Sequence, residues 1–257
     1  MKTKTIQFSH GNQARAIYVP QGVAAQQIVD ALELAQPRAL VILNGGTAEM
    51  ETGLQAQLGR LLQDGLAHVA AKEQITLITG GTDSGIFALL GQGLAKWGRT
   101  APCIGVAVAG RVTWPGRIPH WLPSRWFDRG HIPLEPHHSH LVLVEANEWG
   151  QETATMYELV VALSQSVPSL VVFAGGGRIT MREMEANAKL GQRMILLAGS
   201  GRTTDAVLTA RLEGHIDDAR LAEIARQGKV IPFAINQEPS ALIDLVRRTL
   251  FKETGGR

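Results

Sequence analysis

The amino-acid sequence predicts an α/β fold: a Rossmann-like, mostly parallel sheet with helices on both faces. Strand-like and helical segments alternate along most of the 257 residues, which is the order typical of parallel α/β proteins. The middle strands are continuous apolar runs, as expected for strands that are covered on both faces. Four apolar runs also end in glycine and are soon followed by a helical pattern, namely residues 39–46, 74–81, 169–177 and 193–201.

Apolar periodicity assigns the individual elements. Alternation around Gly11-Asn12 predicts a hairpin. Apolar residues at helical spacing predict helices, most clearly the leucine stripe of residues 50–71, and short apolar runs predict buried strands. In chain order the prediction is a hairpin over about 5–20, a helix over 23–35, strand 39–44, helix 50–71, strand 75–79, helix 86–97 and strand 104–109. It continues with strand 141–145, helix 152–165, strand 169–174, helix 180–190, strand 194–198, helices 203–213 and 216–226, strand 230–235 and helix 239–251.

Composition favours one globular domain over residues 1–257, because no linker, repeat or composition break interrupts the pattern. The net charge is +2 and the basic residues are spread along the chain, so nucleic acid is not the expected partner. The single cysteine, Cys103, excludes an internal disulfide and a cysteine-rich zinc site. No apolar run reaches the roughly 18 residues of a membrane span. The first residues also lack the apolar core of a signal peptide, so we expect a cytoplasmic protein.

The glycine-ended strands point to a binding site for a phosphorylated ligand. Glycine lets the backbone approach a ligand closely, and the following helix directs free N–H groups and its dipole at an anion. Because the carboxyl ends of parallel strands meet at one edge, the four tips should share one crevice. The residues predicted to bind there are Gly45, Gly46, Thr47, Gly80, Gly81, Thr82, Ser84, Gly85, Gly175, Gly176, Gly177, Arg178, Thr180, Ser200, Gly201 and Arg202.

Two of these assignments have a structural alternative. Asp83 or Ser84 can act as an ordinary helix N-cap without contacting a ligand. Arg202, which we expect to pair with a diphosphate beside the backbone of 199–201, can equally pair with a surface carboxylate.

Residues 110–140 form a connection that is too long for an ordinary link between a strand and a helix. This segment holds three of the five tryptophans, four arginines and five histidines. It is either a lid over the ligand or an anchor against the body or a second subunit. As a lid, it would offer Arg111 to a phosphate and Trp114 to a base. Its histidines lack a set of carboxylate or cysteine partners, so no metal site and no cofactor are expected.

Four segments match a known pattern in order and spacing. They are Leu43-Asn-Gly-Gly-Thr47, Ile78-Thr-Gly-Gly-Thr-Asp-Ser-Gly85, Glu135-Pro-His-His-Ser-His-Leu-Val-Leu-Val144 with Gly150-Gln151, and Gly175-Gly-Gly177 followed by Gly199-Ser-Gly-Arg-Thr-Thr-Asp-Ala206. Over about two-thirds of its length the chain therefore resembles the SLOG-in-TRPM family, and its free-standing prokaryotic branch fits best. This is the Rossmann-like domain at the cytosolic N-terminus of TRPM channels. The resemblance implies a nucleotide-derived ligand, since this domain binds ADP-ribose in some TRPM channels.

The resemblance also implies kinship with the LOG superfamily, which includes phosphoribohydrolases that release a base from a nucleoside monophosphate. Their motif is Gly-Gly-x-Gly-Thr-x-x-Glu, and its nearest match here is Gly176-Gly-Arg-Ile-Thr-Met-Arg-Glu183. Thr180 and Glu183 are in place, whereas Ile179 replaces the third glycine. A β-branched residue disfavours a positive φ and is expected to crowd a phosphate cradle. Glu183 is the candidate catalytic residue, since hydrolysis at an anomeric carbon needs a carboxylate; a glutamate in a first helical turn is its structural alternative.

Two functions follow from the sequence. The first is a cytosolic sensor that binds ADP-ribose or a nucleoside phosphate and signals through a partner or a homo-oligomer. The second is a LOG-like phosphoribohydrolase that cleaves the N-glycosidic bond of a nucleotide.

Overall fold

The computed structural model describes residues 1–8, 11–46, 50–117, 130–214 and 218–251. Eleven strands lie in these ranges: β1 (Lys2–Gln7), β2 (Gln13–Val19), β3 (Leu40–Gly45), β4 (Thr76–Thr79), β5 (Cys103–Val108), β6 (Val112–Thr113), β7 (Ile132–Pro133), β8 (His140–Val144), β9 (Ser169–Ala174), β10 (Arg193–Ala198) and β11 (Lys229–Ala234).

Nine α-helices lie in the same ranges: α1 (Ala25–Leu32), α2 (Thr52–Arg60), α3 (His68–Glu73), α4 (Gly85–Lys96), α5 (Thr153–Ser164), α6 (Arg178–Lys189), α7 (Arg202–Glu213), α8 (Ala219–Gln227) and α9 (Pro239–Phe251). A π-helical segment, Leu61–Ala67, joins α2 to α3 without a break. The helix predicted over 50–71 is therefore one continuous helical stretch whose middle turns are wound more loosely.

The main sheet has nine strands in the order β1-β2-β8-β5-β4-β3-β9-β10-β11. Strands β1 and β2 pair antiparallel, and every other neighbouring pair is parallel. The predicted fold class, a mostly parallel Rossmann-like sheet, is confirmed. The four glycine-ended strands β3, β4, β9 and β10 run parallel, so their tips lie at one edge, as predicted.

Strand order reverses between β3 and β9. From β3 the chain adds β4 and β5 on one side, and from β9 it adds β10 and β11 on the other. A ligand in an open α/β sheet binds at the carboxyl end of such a reversal, because the two following connections leave in opposite directions and open a crevice. Here the two tips that flank the reversal are Gly45-Gly46 and Gly175-Gly176.

Apolar cores cover both faces of the sheet. Helices α1, α5, α6, α7 and α8 pack on one face, with Phe173 and Met184 fully buried beneath them. The α2–α3 stretch, α4 and α9 pack on the other face around Leu62 and Leu242. No helix in the described part of the chain is long and apolar enough to span a membrane.

A third, smaller core lies beneath the β1–β2 pair and contains Ile6, Phe8 and Trp114. Trp114 is only 8% exposed, and its ring meets Tyr18 edge to face at 6.2 Å. The first residues of the 110–140 segment are therefore anchored to the body. Its residues 118–129, which include His120, Trp121, Arg125, Trp126 and Arg129, lie outside the described residues.

Candidate ligand-binding site

A cavity of about 230 Å³ opens at the strand-order reversal. Its polar lining comes from the tips of β3 and β4, the start of α5 and the first turns of α6, and its apolar walls come from α4, α5, α6 and the β5 and β7 strands. The lining residues are Asn44, Gly45, Gly80, Thr82, Phe87, Val106, Ile132, Trp149, Glu152, Thr153, Met156, Ile179, Thr180 and Glu183. A concave, largely apolar pocket with a few converging polar groups is the usual form of a small-molecule site.

The N-terminus of α6 is open. The helix begins after Gly177, which makes no side-chain cap, and its first intrahelical bond runs from Met181 N–H to the Gly177 carbonyl. The N–H groups of Arg178, Ile179 and Thr180 have no hydrogen-bond partner among the described residues. Three unpaired donors at the positive end of a helix dipole are suited to an anion.

Two arginines lie at this helix start. Arg178 is exposed at the first position of α6. Arg202 points toward the turn before it, because a Cβ built on Gly177 would lie 3.8 Å from Nη2 of Arg202. Neither guanidinium makes a hydrogen bond or ion pair within the described ranges, so Arg202 does not have the surface carboxylate partner that the sequence left open.

The backbone of Arg202 is in the left-handed region, with φ +56°. For a residue with a Cβ this conformation costs about 1–2 kcal/mol relative to glycine. Such strain tends to be found where a side chain is needed for function. The strain therefore singles out Arg202 among the arginines at this edge.

The N-terminus of α7, in contrast, is occupied by the protein's own groups. The Asp205 carboxylate accepts the N–H groups of Gly199 and Gly201, both at 2.8 Å. The N–H groups of Thr203 and Thr204 donate to the carbonyls of Gly176 and Gly175. Helix α7 thus holds the turn that precedes α6.

Ser200 and Gly175 also help to hold the turn that precedes α6. Ser200 is buried, and its hydroxyl accepts the Gly175 N–H at 2.8 Å and donates to the Leu197 carbonyl. The N–H groups of Gly175 and Gly201, which the sequence assigned to a ligand, and that of the neighbouring Gly199 therefore have partners inside the protein.

Two carboxyl groups line the cavity. Glu183 is 8% exposed, and no hydrogen bond to its carboxyl group is found within the described residues. Burial, together with the nearby Glu152 carboxylate, raises the pKa of Glu183 to about 8. Burial also raises the pKa of Glu152, although its carboxylate accepts the Gly150 N–H at 2.7 Å. A glutamic acid that titrates near neutral pH can donate or accept a proton.

A buried amide and phenol network fixes the floor beneath Glu183. The Tyr157 hydroxyl donates to the Glu183 carbonyl at 3.1 Å and accepts from Asn44 and Asn187. Burial, with an added effect of Glu183, raises the pKa of Tyr157, so this hydroxyl stays protonated. The network ties β3, α5 and α6 together where they meet the cavity.

Ile179, which replaces a glycine of the LOG motif, lies in the first turn of α6. Its backbone is helical, and no positive φ is required at this position. Its side chain lines the cavity and would lie 3.6 Å from a Cβ on Gly150. The substitution therefore reshapes the cavity wall and leaves the turn intact.

The other predicted site residues that the structure describes lie in or beside this cavity. Gly45, Gly80, Thr82, Thr180 and Glu183 line it, and Thr47 lies outside the described residues. Gly46 and Gly176 pack against each other, since a Cβ on Gly46 would lie 3.2 Å from Gly176 N. The Ser84 hydroxyl is 2.9 Å from that of Thr82 and does not cap α4, while Gly81 and Gly85 form the turn into this helix.

Arg111 and Trp114 lie apart from the cavity lining. Arg111 Nε donates to the Asn147 carbonyl at 2.5 Å, which ties the 109–111 turn to the loop that carries Trp149. Among the described residues, no cluster of three or more metal-ligating side chains is found. Sequence reasoning did not identify Phe87, Ile132 and Met156 as site residues, because an apolar residue carries no signal that separates a cavity wall from a core.

The fold is Rossmann-like α/β, with a cavity at the strand-order reversal. The chain belongs to the family described as SLOG in TRPM, prokaryote, whose model matches residues 38–244, and the resemblance found in the motifs is confirmed. It is also 23% identical over 216 residues to transient receptor potential cation channel subfamily M member 2 of Mus musculus. That match covers 73% of this chain and 14% of the length of the channel subunit.

Proposed function

We propose that this protein binds a nucleotide-derived ligand, of the ADP-ribose or nucleoside phosphate class, in the cavity at the strand-order reversal. The open N-terminus of α6 is the observation that carries the proposal. Its three unpaired N–H groups adjoin the cavity and lie beside Arg202. Donors that the fold leaves unpaired in this way favour an anion, and phosphate matches both the helix end and the guanidinium.

The cavity itself suits the uncharged part of such a ligand. Glu152 and Glu183 line it with apolar side chains such as Phe87 and Met156. A phosphate would be repelled by the carboxylates, whereas ribose hydroxyls can hydrogen-bond to them and a base can pack on the apolar wall. We therefore infer that the phosphates bind at α6 and Arg202, and that the ribose or base enters the cavity.

The role of a cytosolic sensor, which signals through a partner or a homo-oligomer, is part of this proposal. A sensor needs only a difference in affinity between two states of the protein. The family relationship supports it, since the matching domain of the channel relative is a small part of a much larger protein.

A phosphoribohydrolase is the second candidate, and the Glu183 carboxyl group favours it. This group is buried, faces the cavity and has a pKa near neutral. A carboxyl group of this kind can protonate a leaving base or activate water at the anomeric carbon. Glu152 is the second carboxylate that such a reaction can use.

Isothermal titration calorimetry tests the binding proposal. The panel is ADP-ribose, AMP, NAD and a cyclic nucleotide, with adenosine as the control that lacks phosphate. We expect heat from at least one phosphorylated member and a much weaker response to adenosine. Arg178→Ala is the test variant, because Arg178 lies at the start of α6. Arg182→Ala, one turn further along the same helix, is its matched control. Equal responses of wild-type protein to adenosine and the phosphorylated ligands would contradict the phosphate assignment.

Product analysis separates the two candidates. Purified protein is incubated with AMP, other nucleoside monophosphates and ADP-ribose, and free base and ribose phosphates are separated by chromatography. Base release that is lost in Glu183→Gln supports the hydrolase. Binding without any release supports the sensor.

A further inference from the structure

A buried chain of hydrogen bonds runs from Glu135 to the tip of β4. The Glu135 carboxylate lies 2.7 Å from Nδ1 of His138, and Nε2 of His138 lies 2.7 Å from the Thr79 hydroxyl. The Thr79 hydroxyl in turn accepts the N–H of Gly81 at 2.9 Å. Glu135 is 2% exposed, and His138 and Thr79 are fully buried.

The charge state of Glu135 sets the direction of the hydrogen bonds that it makes. Although burial opposes ionisation, hydrogen bonds from His137 and His138 hold the pKa of Glu135 at about 2. The carboxylate therefore accepts, and Nδ1 of His138 donates. The His137 N–H and ring also donate to Glu135, at 2.9 and 2.7 Å, so both carboxylate oxygens are satisfied.

The surrounding fold makes room for this charged group. A Cβ on Gly91 of α4 would lie 2.0 Å from Oε1 of Glu135, so only glycine leaves space for the carboxylate there. Burying a carboxylate and an imidazole has a large desolvation cost, and an apolar pair of similar size would fill the space without it. Because the chain of hydrogen bonds is buried despite this cost, we expect it to fix the local geometry.

The geometry that it fixes is the wall of the cavity. Gly80 and Thr82 line the cavity on either side of the Gly81 N–H. Gly81 itself has φ +69° and would place a Cβ 2.9 Å from Cα of Gly105, so the turn has little freedom to move. Backbone bonds from Glu135 N–H to the Gly81 carbonyl and from Asp83 N–H to the Pro133 carbonyl tie the same turn to residues 133–135.

We propose that Glu135 and His138 are positioning residues for the ligand site, which act through Thr79 to hold the Gly80–Thr82 turn against the cavity. The consequence for affinity rests on the proposed function, whereas the positioning itself is a property of the free protein. Glu135 and His138 thereby contribute to the site from beneath, without lining the cavity.

The first measurement is amide hydrogen exchange by NMR in the ligand-free protein. Thr79→Val removes the acceptor of the Gly81 N–H and keeps the side-chain shape, and Thr79→Ser restores the hydroxyl. Thr76→Val on the same strand is the control, since the Thr76 hydroxyl has no hydrogen bond among the described residues. We expect Gly81 exchange to be at least about threefold faster in Thr79→Val only, because one hydrogen bond is lost.

Glu135→Gln provides a second route to the same readout, because it alters the far end of the chain and leaves Thr79 intact. It should also speed Gly81 exchange relative to the Leu77 amide in the centre of β4. If Gly81 exchange changes less than about threefold in Glu135→Gln, whatever Thr79→Val shows, the positioning proposal for Glu135 and His138 is wrong.

The second measurement is the affinity for ADP-ribose by calorimetry. We expect Thr79→Val to bind about tenfold more weakly, with Thr79→Ser and Thr76→Val close to wild type. A Thr79→Val protein that shows faster Gly81 exchange with unchanged affinity would remove the turn from the ligand site. If wild-type protein binds no member of the nucleotide panel, the proposed function fails, and the exchange rates still decide whether the chain holds the turn.

Discussion

Helices α6 and α7 start from the same sequence pattern, a strand that ends in glycine, yet the two helix starts differ in what occupies them. The α7 start is filled, since Asp205 accepts from Gly199 and Gly201 and the first amides of the helix hold the carbonyls of the neighbouring turn. The α6 start leaves three N–H groups without a partner and adjoins the cavity. The start of α7 therefore stabilises the turn that precedes α6, whereas the start of α6 is a candidate anion site.

A glycine-ended strand is suited to an outside anion only where the fold leaves the N–H groups of its turn and helix start unpaired. Both helix starts carry a positive dipole end and a bare backbone. The difference arises from the acceptors that lie beside each helix start. The carbonyls of Gly176 and Gly175 accept the N–H groups of Thr203 and Thr204 in α7, and Asp205 accepts those of the turn before it. Helix α6 has Met181 at the position of Asp205 and no acceptor for its first three N–H groups among the described residues. A helix start is therefore open to an outside anion where neither a neighbouring turn nor an acidic side chain supplies acceptors.

Substitution of the glycines should give the largest difference between the two turns. A Cβ on Gly176 would lie 2.3 Å from Oγ1 of Thr180 at φ +90°, whereas Gly201 has φ +82° and open space around it. We expect Gly176→Ala to lower the free energy of unfolding by about 3 kcal/mol or more, since it adds overpacking to backbone strain. Gly201→Ala should lower it by less, about 1–3 kcal/mol, through strain alone, because φ +82° with ψ 178° is a conformation open almost only to glycine. Urea denaturation measures both, and equal losses would contradict the difference in packing.

Arg202 offers a test in which stability and affinity should separate. Arg202→Gly removes the guanidinium and relieves the backbone at φ +56°. We expect the affinity for the phosphorylated ligand to fall about ten- to a hundredfold, the effect of losing a charge-assisted hydrogen bond. The free energy of unfolding should stay within about 1 kcal/mol of wild type, because relief of strain is offset by the freedom of glycine in the unfolded chain.

Arg202→Ala is the matched variant, since it removes the same guanidinium and keeps the strain. The two variants should bind equally weakly, and the glycine variant should be the more stable. Wild-type affinity in both would place the phosphate elsewhere.

The raised pKa of Glu183 predicts that the stability of the protein depends on pH. Burial raises the pKa of Glu183 to about 8, from an ordinary value of 4.5. The folded protein therefore holds this proton more tightly than the unfolded chain. The resulting stabilisation is complete below about pH 4.5 and is lost as the pH rises through about 8.

Glu183→Gln cannot ionise and should escape this loss. Its free energy of unfolding, compared with wild type, should improve by about 4 kcal/mol between about pH 5 and about pH 8.5. Glu158→Gln, at an exposed position on α5, is the control and should follow the wild-type profile. Parallel profiles for Glu183→Gln and wild type would mean that Glu183 is already ionised in the folded protein.

The sequence predicted the parts of the fold that local pattern determines. Apolar runs and glycine ends specify strands such as β3 and β9, because a strand buried on both faces must be continuously apolar. It also predicted Glu183 and Thr180 as site residues from their spacing after Gly176-Gly177, and both line the cavity. The place of β2 beside β8 could not be predicted, because non-local pairing leaves no mark on either strand.

The occupancy of each glycine tip could not be predicted either. Asp205 and Ser200 stand in the sequence as polar residues after a glycine turn, which is equally the pattern of a ligand loop. Only the packed structure shows that Asp205 turns back on Gly199 and Gly201. For the same reason Trp114, a candidate stacking face in sequence, is a buried anchor beneath β1 and β2.

Arg111 gives the smallest expected effect and the sharpest question about the 110–140 segment. Its Nε donates to the Asn147 carbonyl, and it does not line the cavity. Arg111→Ala should therefore act on the ligand only indirectly, by loosening the loop that carries Trp149, and weaken nucleotide binding by less than about threefold. Loss of one partly exposed hydrogen bond should lower the free energy of unfolding by about 0.5–1.5 kcal/mol. Calorimetry and urea denaturation on the same preparation measure both quantities. A tenfold loss of affinity with unchanged stability would instead mean that Arg111 leaves Asn147 to bind phosphate, and that the segment closes over the ligand as a lid.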